Sequence, residues 1–498
     1  MNKKFSLCAL FILGILLVCT GCKKAPEVTA VIAKDDSLCD TSAFVSKIET
    51  CPMNDSTDIS FNSTFTSTDG SVDFTMNINN KVNNFELPIA QVQPHVLTAE
   101  DVKRVAYALF PGAEFYEAEP EISELFSKSE IQSKLSRWSQ YTNIDALTEL
   151  YGSSVSAGYL DIIEGFIQDY TTMYELAPTD NPHKPCAWKM RKESEYIFSP
   201  DECAAADLTN DSDEISTQFS VNGIPYILSA TTRDKRDFKV NIITCTIYDG
   251  LCPRDLDERI FAAQLCRTDE PTQEQIDAVA LKAEQLLSAF NLGQWKIDER
   301  YIVSTDFGNH EEYVVHVNAV PTFNGVSALR HPQLASLKDK SGYAPSQYLT
   351  DAQFSFAPSG ELLSFTLFTP LNTQEVIDEH VKVMSMGELL NRAQEILTLT
   401  DSNSYGFGEY MQLIDEEVKC NVEVSEVKYG LSRIKVPDTD GTYYYVPSLL
   451  LKGVSEYVGK ESGKTFYASE KPEVLAVINA VDGTLINGMS DCNDTIRR

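Results

Sequence analysis

The chain has 498 residues, 43% of them hydrophobic, and its formal net charge at pH 7 is -32. This apolar content is typical of globular proteins and excludes a wholly disordered chain, while the length predicts about three domains. The acidic surplus excludes a general nucleic-acid binder and a protein that docks on membranes through basic patches, because phosphate groups would repel it.

The N-terminal segment predicts export and lipid anchoring. Two lysines precede the apolar run Phe5–Val18, which is too short for an ordinary membrane-spanning helix and fits a signal peptide. The run leads to Thr20-Gly21-Cys22, which resembles the bacterial lipobox, although Cys19 stands where an aliphatic residue is usual. We expect residues 1–21 to be removed, Cys22 to be lipidated and residues 22–35 to form a tether. A plain secretory signal cut elsewhere is the alternative.

The next region, 36–265, is predicted to be α+β. Asp69-Gly70 lies between two segments that alternate polar and apolar residues, which indicates a β-hairpin over 58–78. Thr98 is a candidate helix cap, because an apolar stripe at helical spacing follows it. Further helices are predicted at 121–140, 145–151 and 160–176, and strands at 214–221, 225–230 and 238–247.

Two helix-opening patterns recur in the C-terminal half. Thr272–Gln275 and Ser385–Glu388 are capping boxes, and an apolar stripe follows each. The segments behind them predict antiparallel strands, because they are rich in β-branched and aromatic residues. We interpret 266–384 and 385–498 as tandem units of one helix on a curled sheet, within an α+β multi-domain protein. The alternative is that the two units match by coincidence, since one helix followed by an antiparallel meander is a common arrangement. The predicted strands are 295–304, 312–320, 352–369 with a break at 358–360, 421–436, 443–458 and 474–487.

Twelve cysteines are present, three of them in the signal and anchor, so nine remain. In an exported protein the default expectation is disulfides, and the odd number leaves at least one thiol unpaired within the chain. The pair most worth testing is Cys420 with Cys492, the only cysteines of the last unit, because a bond between them would join its ends. Two unrelated thiols are an almost equal alternative, and a reducing habitat would leave all of them free.

Three segments suggest ligand binding but fail on spacing. Gly459–Thr465 ends like a phosphate-binding loop, but it is one residue short and leads into a strand, so a hairpin turn is predicted. Asp438–Gly441 begins like a calcium loop, but Leu449 stands where a Glu is needed, which predicts a solvated turn. The acidic stretch 207–214 is interpreted as a solvated loop.

His310, Glu312 and His316 come closest to a metal-ligand set. Alternation along a strand places Glu312 and His316 on the solvent face, opposite Val315 and Val317. No HExxH, GxSxG, GxGxxG or paired CxxC motif accompanies them. We therefore predict no catalytic, cofactor-binding or metal-binding residue.

Two parts of the chain resemble a family of uncharacterised lipoproteins from Gram-positive bacteria, catalogued as a domain of unknown function. The matching segments are Phe85–Ile89, Val92–His95, Thr98–Val102, Leu109–Gly112, Tyr443–Pro447 and Val477–Ile486. The helix-plus-sheet units are also loosely similar to PepSY-type domains and to the extracytoplasmic YycH/YycI regulators. The resemblance implies an envelope location and supplies no catalytic residue.

These features favour a non-enzymatic lipoprotein, anchored to the membrane through Cys22 on its extracytoplasmic face, that binds an envelope protein or peptide. Exposed strand edges can accept an extended partner by main-chain hydrogen bonding. No cofactor and no nucleic-acid partner are expected. The alternatives are a solute or cation binder, suggested by the acidic surplus, and a cell-envelope hydrolase, which would need convergent Asp, Glu or His side chains in a cleft.

Overall fold

A computed structural model describes most of the chain after residue 56. The described residues are 57–82, 87–118, 126–152, 158–180, 183–192, 213–235, 238–247, 254–330, 351–378, 381, 383–399, 416–435, 443–469 and 472–486. The predicted lipidation site at Cys22, the tether, the turn at 438–441 and most of the loop 207–214 lie outside these ranges.

The described residues form an α+β fold with seven α-helices. The helices are Ala99–Leu109 (α1), Lys128–Trp138 (α2), Ile144–Tyr151 (α3), Gly158–Leu176 (α4), Arg254–Cys266 (α5), Gln273–Phe290 (α6) and Met386–Thr398 (α7). The strands of the N-terminal half are Thr57–Thr66 (β1), Val72–Val82 (β2), Ile89–Pro94 (β3), Tyr116–Glu117 (β4), Arg191–Lys192 (β5), Asp213–Val221 (β6), Ile224–Lys235 (β7) and Phe238–Ile247 (β8). The remaining strands are Trp295–Asp306 (β9), Glu311–Phe323 (β10), Val326–Ser327 (β11), Ala352–Phe356 (β12), Leu362–Phe368 (β13), Leu371–Asp378 (β14), Val418–Lys435 (β15), Tyr443–Gly459 (β16), Thr465–Ala468 (β17) and Glu473–Asn479 (β18).

The three predicted helix caps are confirmed. Thr98, Thr272 and Ser385 each accept a hydrogen bond from the backbone N–H three residues later, and the side chain of that later residue bonds back. The predicted hairpin at Asp69-Gly70 is also confirmed, because β1 and β2 pair around it and Gly70 adopts a positive φ of 76°. These features are local, which is why the sequence alone predicts them.

The larger sheet has ten strands, all paired antiparallel. Its order is β11-β10-β12-β13-β8-β7-β6-β4, with β9 also paired to β10 and β5 to β6. One face carries the largest core, where side chains of α6 such as Ala283 and Phe290 pack with Val317 and Phe365 of the sheet. Helix α1 lies against α6 and closes this core from outside.

The smaller sheet has eight strands and combines both ends of the chain. Its order is β1-β2-β15-β16-β3-β14, with β17 and β18 also paired to β16. The β2–β15 pair is parallel and the others are antiparallel. Apolar residues of α7, including Leu390 and Leu397, pack on this sheet, so both predicted capped helices of the C-terminal half lie on a sheet face. The strands come from all three predicted regions, 36–265, 266–384 and 385–498, which therefore intertwine in this sheet.

The two sheets meet at the end of β10. Ala328 forms a parallel bridge with Leu431 of β15, and the Leu329 N–H donates to the Leu431 carbonyl over 2.7 Å. An apolar cluster behind this bridge includes Phe323 and Tyr445, whose ring centroids are 4.5 Å apart. Polar and apolar contacts thus join the sheets.

Helices α2 to α5 form a separate small layer around Trp138 and Tyr170, whose ring centroids are 4.7 Å apart. The sequence predicted α2, α3 and α4 but missed α5, as it missed strands β3 and β14. Helix α5 carries Arg259, which reaches from this layer to the ten-stranded sheet and bonds to Glu312 of β10.

Candidate functional site

Strand β9 is an edge of the ten-stranded sheet. It pairs with β10 from Asp306 opposite Glu311 to Trp295 opposite Pro321, and no other described strand pairs with its second side. Tyr301 and Val303 are each 40% exposed, more than any other large hydrophobic side chain of this sheet whose burial the structure describes. We call the side of Arg300–Asp306 that faces away from β10, with which no other described strand pairs, the β9 edge.

The register fixes which backbone groups of the β9 edge face outward. The N–H of Phe307 donates to the His310 carbonyl over 2.9 Å, so the hairpin closes on a two-residue turn. In antiparallel pairs, hydrogen-bonding residues alternate along the strand. The backbone groups of Arg300, Ile302, Ser304 and Asp306 therefore point away from β10.

Among the described residues, the β9 edge shows none of three devices by which proteins usually protect an edge strand. Such strands are commonly short, interrupted by a bulge, or guarded by Lys and Pro. The bulge in this strand pair lies opposite Asn318/Ala319, before the edge begins. The five residues Tyr301–Thr305 carry no charge and no proline. This segment is suited to pairing with another strand.

Buried charges hold the hairpin end of the edge. Glu312, at the start of β10, accepts hydrogen bonds from both terminal nitrogens of Arg259, one of them over 2.6 Å. The Glu312 side chain is 6% exposed and the Arg259 side chain 12%. His310 Nε2 lies 2.9 Å from the same carboxylate. The prediction that Glu312 stands on a solvent face was therefore wrong, because α5 covers this end of the strand.

The hairpin turn is also fixed by close packing. The Arg259 guanidinium lies over the Phe307 ring, 4.2 Å from its centroid, and its Nε donates to the Leu150 carbonyl over 2.9 Å. Gly152 ends α3 with φ 79° and ψ -171°, and a Cβ there would lie 2.3 Å from the Phe307 carbonyl oxygen. Only glycine suits both this conformation and this contact.

Ion pairs hold the rest of β9. Arg300 bonds to Asp277 of α6 over 2.7 Å. Glu299 accepts a hydrogen bond from Lys452 of the eight-stranded sheet over 3.0 Å. Burial raises the pKa of the Glu299 carboxyl, but the Lys452 hydrogen bond and the nearby cations outweigh burial and lower it overall. The pKa of the neighbouring Asp298 carboxyl is raised, because burial raises it more than the nearby positive charge of Lys428 lowers it.

His316 is half-buried on the face opposite α6, so it lies on the predicted face but is not fully solvated. Its ring stacks on Tyr301 with centroids 5.1 Å apart, and Nδ1 lies 3.1 Å from Ser355 Oγ. Burial lowers the pKa of His316. Ser355 and His316 are direct cross-strand partners, so their contact follows from the register. No carboxylate in the described ranges bonds to His316 to complete a nucleophile triad.

His316 and Tyr301 belong to a row of directly opposed residues that crosses this sheet face. The row comprises Tyr301, His316, Ser355, Ser364, Thr246, Ile227, Gln218 and Tyr116. Its middle is mostly Ser and Thr, as expected for a face that remains partly hydrated. Among the side chains whose burial the structure describes, the exposed large apolar ones of this sheet lie on β9.

The other sequence candidates have separate outcomes. Gly459–Thr465 is confirmed as a hairpin turn, because β16 and β17 pair antiparallel across it. Cys420 is buried on β15, and burial raises the pKa of its thiol to about 12. Cys492 lies outside the described residues, so its pairing with Cys420 stays a prediction.

Within the described ranges, no group of three or more His, Cys, Asp or Glu residues is placed to hold a metal ion. None of the described helices has the length and apolar character needed to cross a membrane.

No family model and no curated protein matches the sequence. Among solved structures, the chain is similar to an uncharacterised protein from Eubacterium rectale ATCC 33656, determined by crystallography at 1.45 Å resolution. The identity is 11%, the TM-score is 0.31, and the match covers 85% of this chain and 92% of the other.

Proposed function

We propose that this protein is a non-enzymatic binding module that adds an extended polypeptide strand to the β9 edge. The observation that carries the proposal is the uncharged segment Tyr301–Thr305, whose outer side pairs with no other described strand and whose Tyr301 and Val303 side chains are each 40% exposed. Strand addition uses main-chain hydrogen bonds for affinity and alternate side chains for specificity. Both elements are present at this edge.

The surrounding contacts support this function, because those between described residues hold β9 in place and none of them is a strand pairing with its outer side. Glu299 is tied to Lys452, Arg300 to Asp277, and the hairpin end to Arg259 through Glu312. A binding strand that is already ordered loses less conformational entropy when a partner adds to it. The β9 edge therefore has the properties of a preformed docking strand.

The N-terminal sequence supports a location for the proposed module outside the cell membrane. The apolar run Phe5–Val18 and Thr20-Gly21-Cys22 favour export and lipidation at Cys22. The resemblance to Gram-positive lipoproteins supports the same location. In this proposal the lipid contacts the membrane, and the β9 edge contacts a protein or peptide of the envelope.

Site-specific crosslinking in intact cells tests the function. A photo-crosslinking residue at the exposed Thr305 would be combined with Ser304→Pro or with the control Ser304→Thr. The Ser304 N–H points outward, so proline removes a docking donor while the β9–β10 bonds remain. We expect crosslinked protein in the wild-type and Ser304→Thr backgrounds, and its loss with Ser304→Pro at an unchanged melting temperature.

Crosslinks that persist unchanged in Ser304→Pro would overturn strand addition. Turnover of peptidoglycan or a chromogenic ester by the purified protein, abolished by a single carboxylate substitution, would favour the hydrolase alternative. Saturable binding of a small solute or cation with the same affinity in wild type and Ser304→Pro, together with absent crosslinks, would favour a solute binder.

A further inference from the structure

We propose that Thr369 is a strained hinge at which strands β3 and β14 detach from the ten-stranded sheet and return to it. The chain crosses between the two sheets at this point, because β13 of the larger sheet ends at Phe368 and β14 of the smaller sheet begins at Leu371. Thr369 is 2% exposed and its φ is 38°. A buried residue in the left-handed region thus links the two sheets.

The backbone of Thr369 is strained. A positive φ brings the Cβ of an L residue close to a backbone oxygen, and a β-branched side chain makes this crowding worse. Five described residues other than glycine have a positive φ, and three of them are asparagine, which tolerates this conformation. Thr369 is the only β-branched residue among the five. Such strain persists only where neighbouring contacts hold the residue in place.

Polar side chains beside the hinge add a second cost to the closed arrangement. Asn241 of β8 is 0% exposed, and neither its Nδ2 nor its Oδ1 has a hydrogen-bond partner among the described residues. The same is true of Oγ1 of Thr369 and of Oγ1 of Thr232, which lies directly opposite Asn241. Buried polar groups without partners cost free energy, and they recover it when water reaches them. Opening at the hinge therefore relieves both the strain and this desolvation.

Two hydrogen bonds define which parts move. The Thr369 N–H donates to the Asn241 carbonyl over 2.6 Å and so fixes the hinge to the larger sheet. The His95 N–H, directly after β3, donates to the Pro370 carbonyl over 2.7 Å and so joins Pro370 to the smaller sheet. The proline ring fixes the φ of Pro370, which confines rotation mainly to Thr369. Opening therefore breaks the first bond and leaves the second intact.

Other contacts keep the open arrangement a minor one. Among the described strands, β14 pairs with β3 alone, and β3 is held to β16 by only three residue pairs. The His95 ring, however, bonds to Asp101 of α1 over 2.9 Å, and an apolar cluster that includes Val92 and Leu371 packs where the sheets meet. These contacts outweigh the strain, so the closed arrangement predominates and the hinge opens only transiently.

Hydrogen exchange in the full chain tests the hinge through the amide at position 369. Thr369→Gly removes both the strain and the unpaired hydroxyl, so we expect the protection factor of this amide to rise at least about fivefold. Thr369→Val keeps the β-branched shape and removes only the hydroxyl, so a smaller rise is expected. Asn324→Gly is a matched control, because Asn324 has a φ of 48° that asparagine already tolerates, and it should leave position 369 unchanged.

The amide of His95 distinguishes the hinge from a general gain in stability. Because its bond to Pro370 moves as part of the detaching unit, its protection should stay within about twofold of wild type in every variant that melts like the wild type. An equal rise at both amides, a rise at position 369 in Asn324→Gly as large as in Thr369→Gly, or no rise in Thr369→Gly at an undiminished melting temperature would each overturn the inference. If glycine lowers the melting temperature, the ratio of the two protection factors decides: a higher ratio than in wild type supports the hinge, and an unchanged ratio refutes it.

Discussion

Arg259 of α5 and Glu312, the second residue of β10, form a buried ion pair with two hydrogen bonds. Residues that lie far apart in the sequence thus set the position of the β9–β10 hairpin. Glu312 also contacts His310, and Arg259 covers Phe307, so one charged pair organises the whole turn. The edge that we propose for strand addition begins directly at this turn.

Removal of one charge from this pair should destabilise the protein strongly. Glu312→Gln leaves the Arg259 guanidinium buried without its counter-ion, and we expect a loss of about 3–5 kcal/mol in the free energy of unfolding. Urea titration measures it. The control Asp277→Asn breaks the exposed Arg300 pair and should cost less than about 1 kcal/mol. The double variant R259M/E312M should be more stable than Glu312→Gln, and equal losses in all three variants would contradict this prediction.

Glycine at position 152 should be required for the hairpin contact. Gly152→Ala forces a Cβ toward the Phe307 carbonyl at a backbone conformation that only glycine adopts readily, so we expect a loss of about 1–3 kcal/mol. Gly165→Ala is a matched control, because Gly165 is helical and a Cβ there would meet nothing within 4 Å. The control should be neutral or stabilising by up to about 1 kcal/mol. Thermal melts that rank the two variants in the opposite order would disprove this account.

Asp101 should make stability depend on acid pH. Burial raises the pKa of this carboxyl, but hydrogen bonds from His95 and Thr98 outweigh burial and lower it to about 2, from an ordinary value of 3.8. The stabilisation that the ionised Asp101 carboxylate gives to the folded protein is therefore complete above the ordinary pKa of 3.8 that this group has in the unfolded chain. It is lost as the pH falls from there toward 2. Asp101→Asn should remove about 1–2 kcal/mol of this acid-dependent stability. Urea unfolding between pH 2 and pH 6 checks it, and the same pH slope in the variant would refute it.

The Cys420 thiol should resist alkylation in the reduced, folded protein. Burial raises its pKa to about 12, so almost no thiolate forms at mildly alkaline pH. Half-buried Cys186 is the internal comparison and should react faster. Mass spectrometry of iodoacetamide-treated protein, with and without denaturant, measures both sites. Rapid labelling of Cys420 without denaturant would contradict the buried position.

The predicted bond between Cys420 and Cys492 is tested separately under oxidising conditions. Cys492→Ser should remove a reductant-dependent shift in gel mobility and lower the melting temperature. Closing a loop of this length is expected to contribute about 4 kcal/mol. An unchanged melting temperature, or a free Cys420 in the oxidised wild type, would rule the bond out.

The features predicted correctly from the sequence are local ones. Thr98, Thr272 and Ser385 bond to residues three positions away, so their patterns identify helix starts without knowledge of the fold. The turn at Asp69-Gly70 was equally visible, because the glycine supplies a positive φ within its own hairpin. The break at Gly360 between β12 and β13 followed from the same kind of signal.

The features that were missed depend on distant partners. Alternation along β10 placed Glu312 on a solvent face. That inference failed because α5, which was not predicted, covers the end of the strand where Glu312 lies. Leu256, Ile260 and Ala263 recur at helical spacing, and this signal could have revealed α5. The composition of Trp295–Ser304 predicted a strand, but whether a strand pairs on one side or on both is decided by the order of strands in the sheet. The register of β9 against β10 then determines which of its groups face outward.

The parallel pairing of β2 with β15 sets the order in which this protein can fold. Val72 of β2 lies beside Cys420 of β15. A strand near the beginning of the chain can therefore pair on this side only after a strand near its end is present. The β1–β2 hairpin can close at once, but its inner edge has no neighbour until residues 418–435 have been synthesised. Contacts so distant in sequence slow folding, because a long loop must close before the contacts form. The strands of the ten-stranded sheet all lie before residue 369, so we expect this sheet to form before the eight-stranded sheet, which needs residues 418–479.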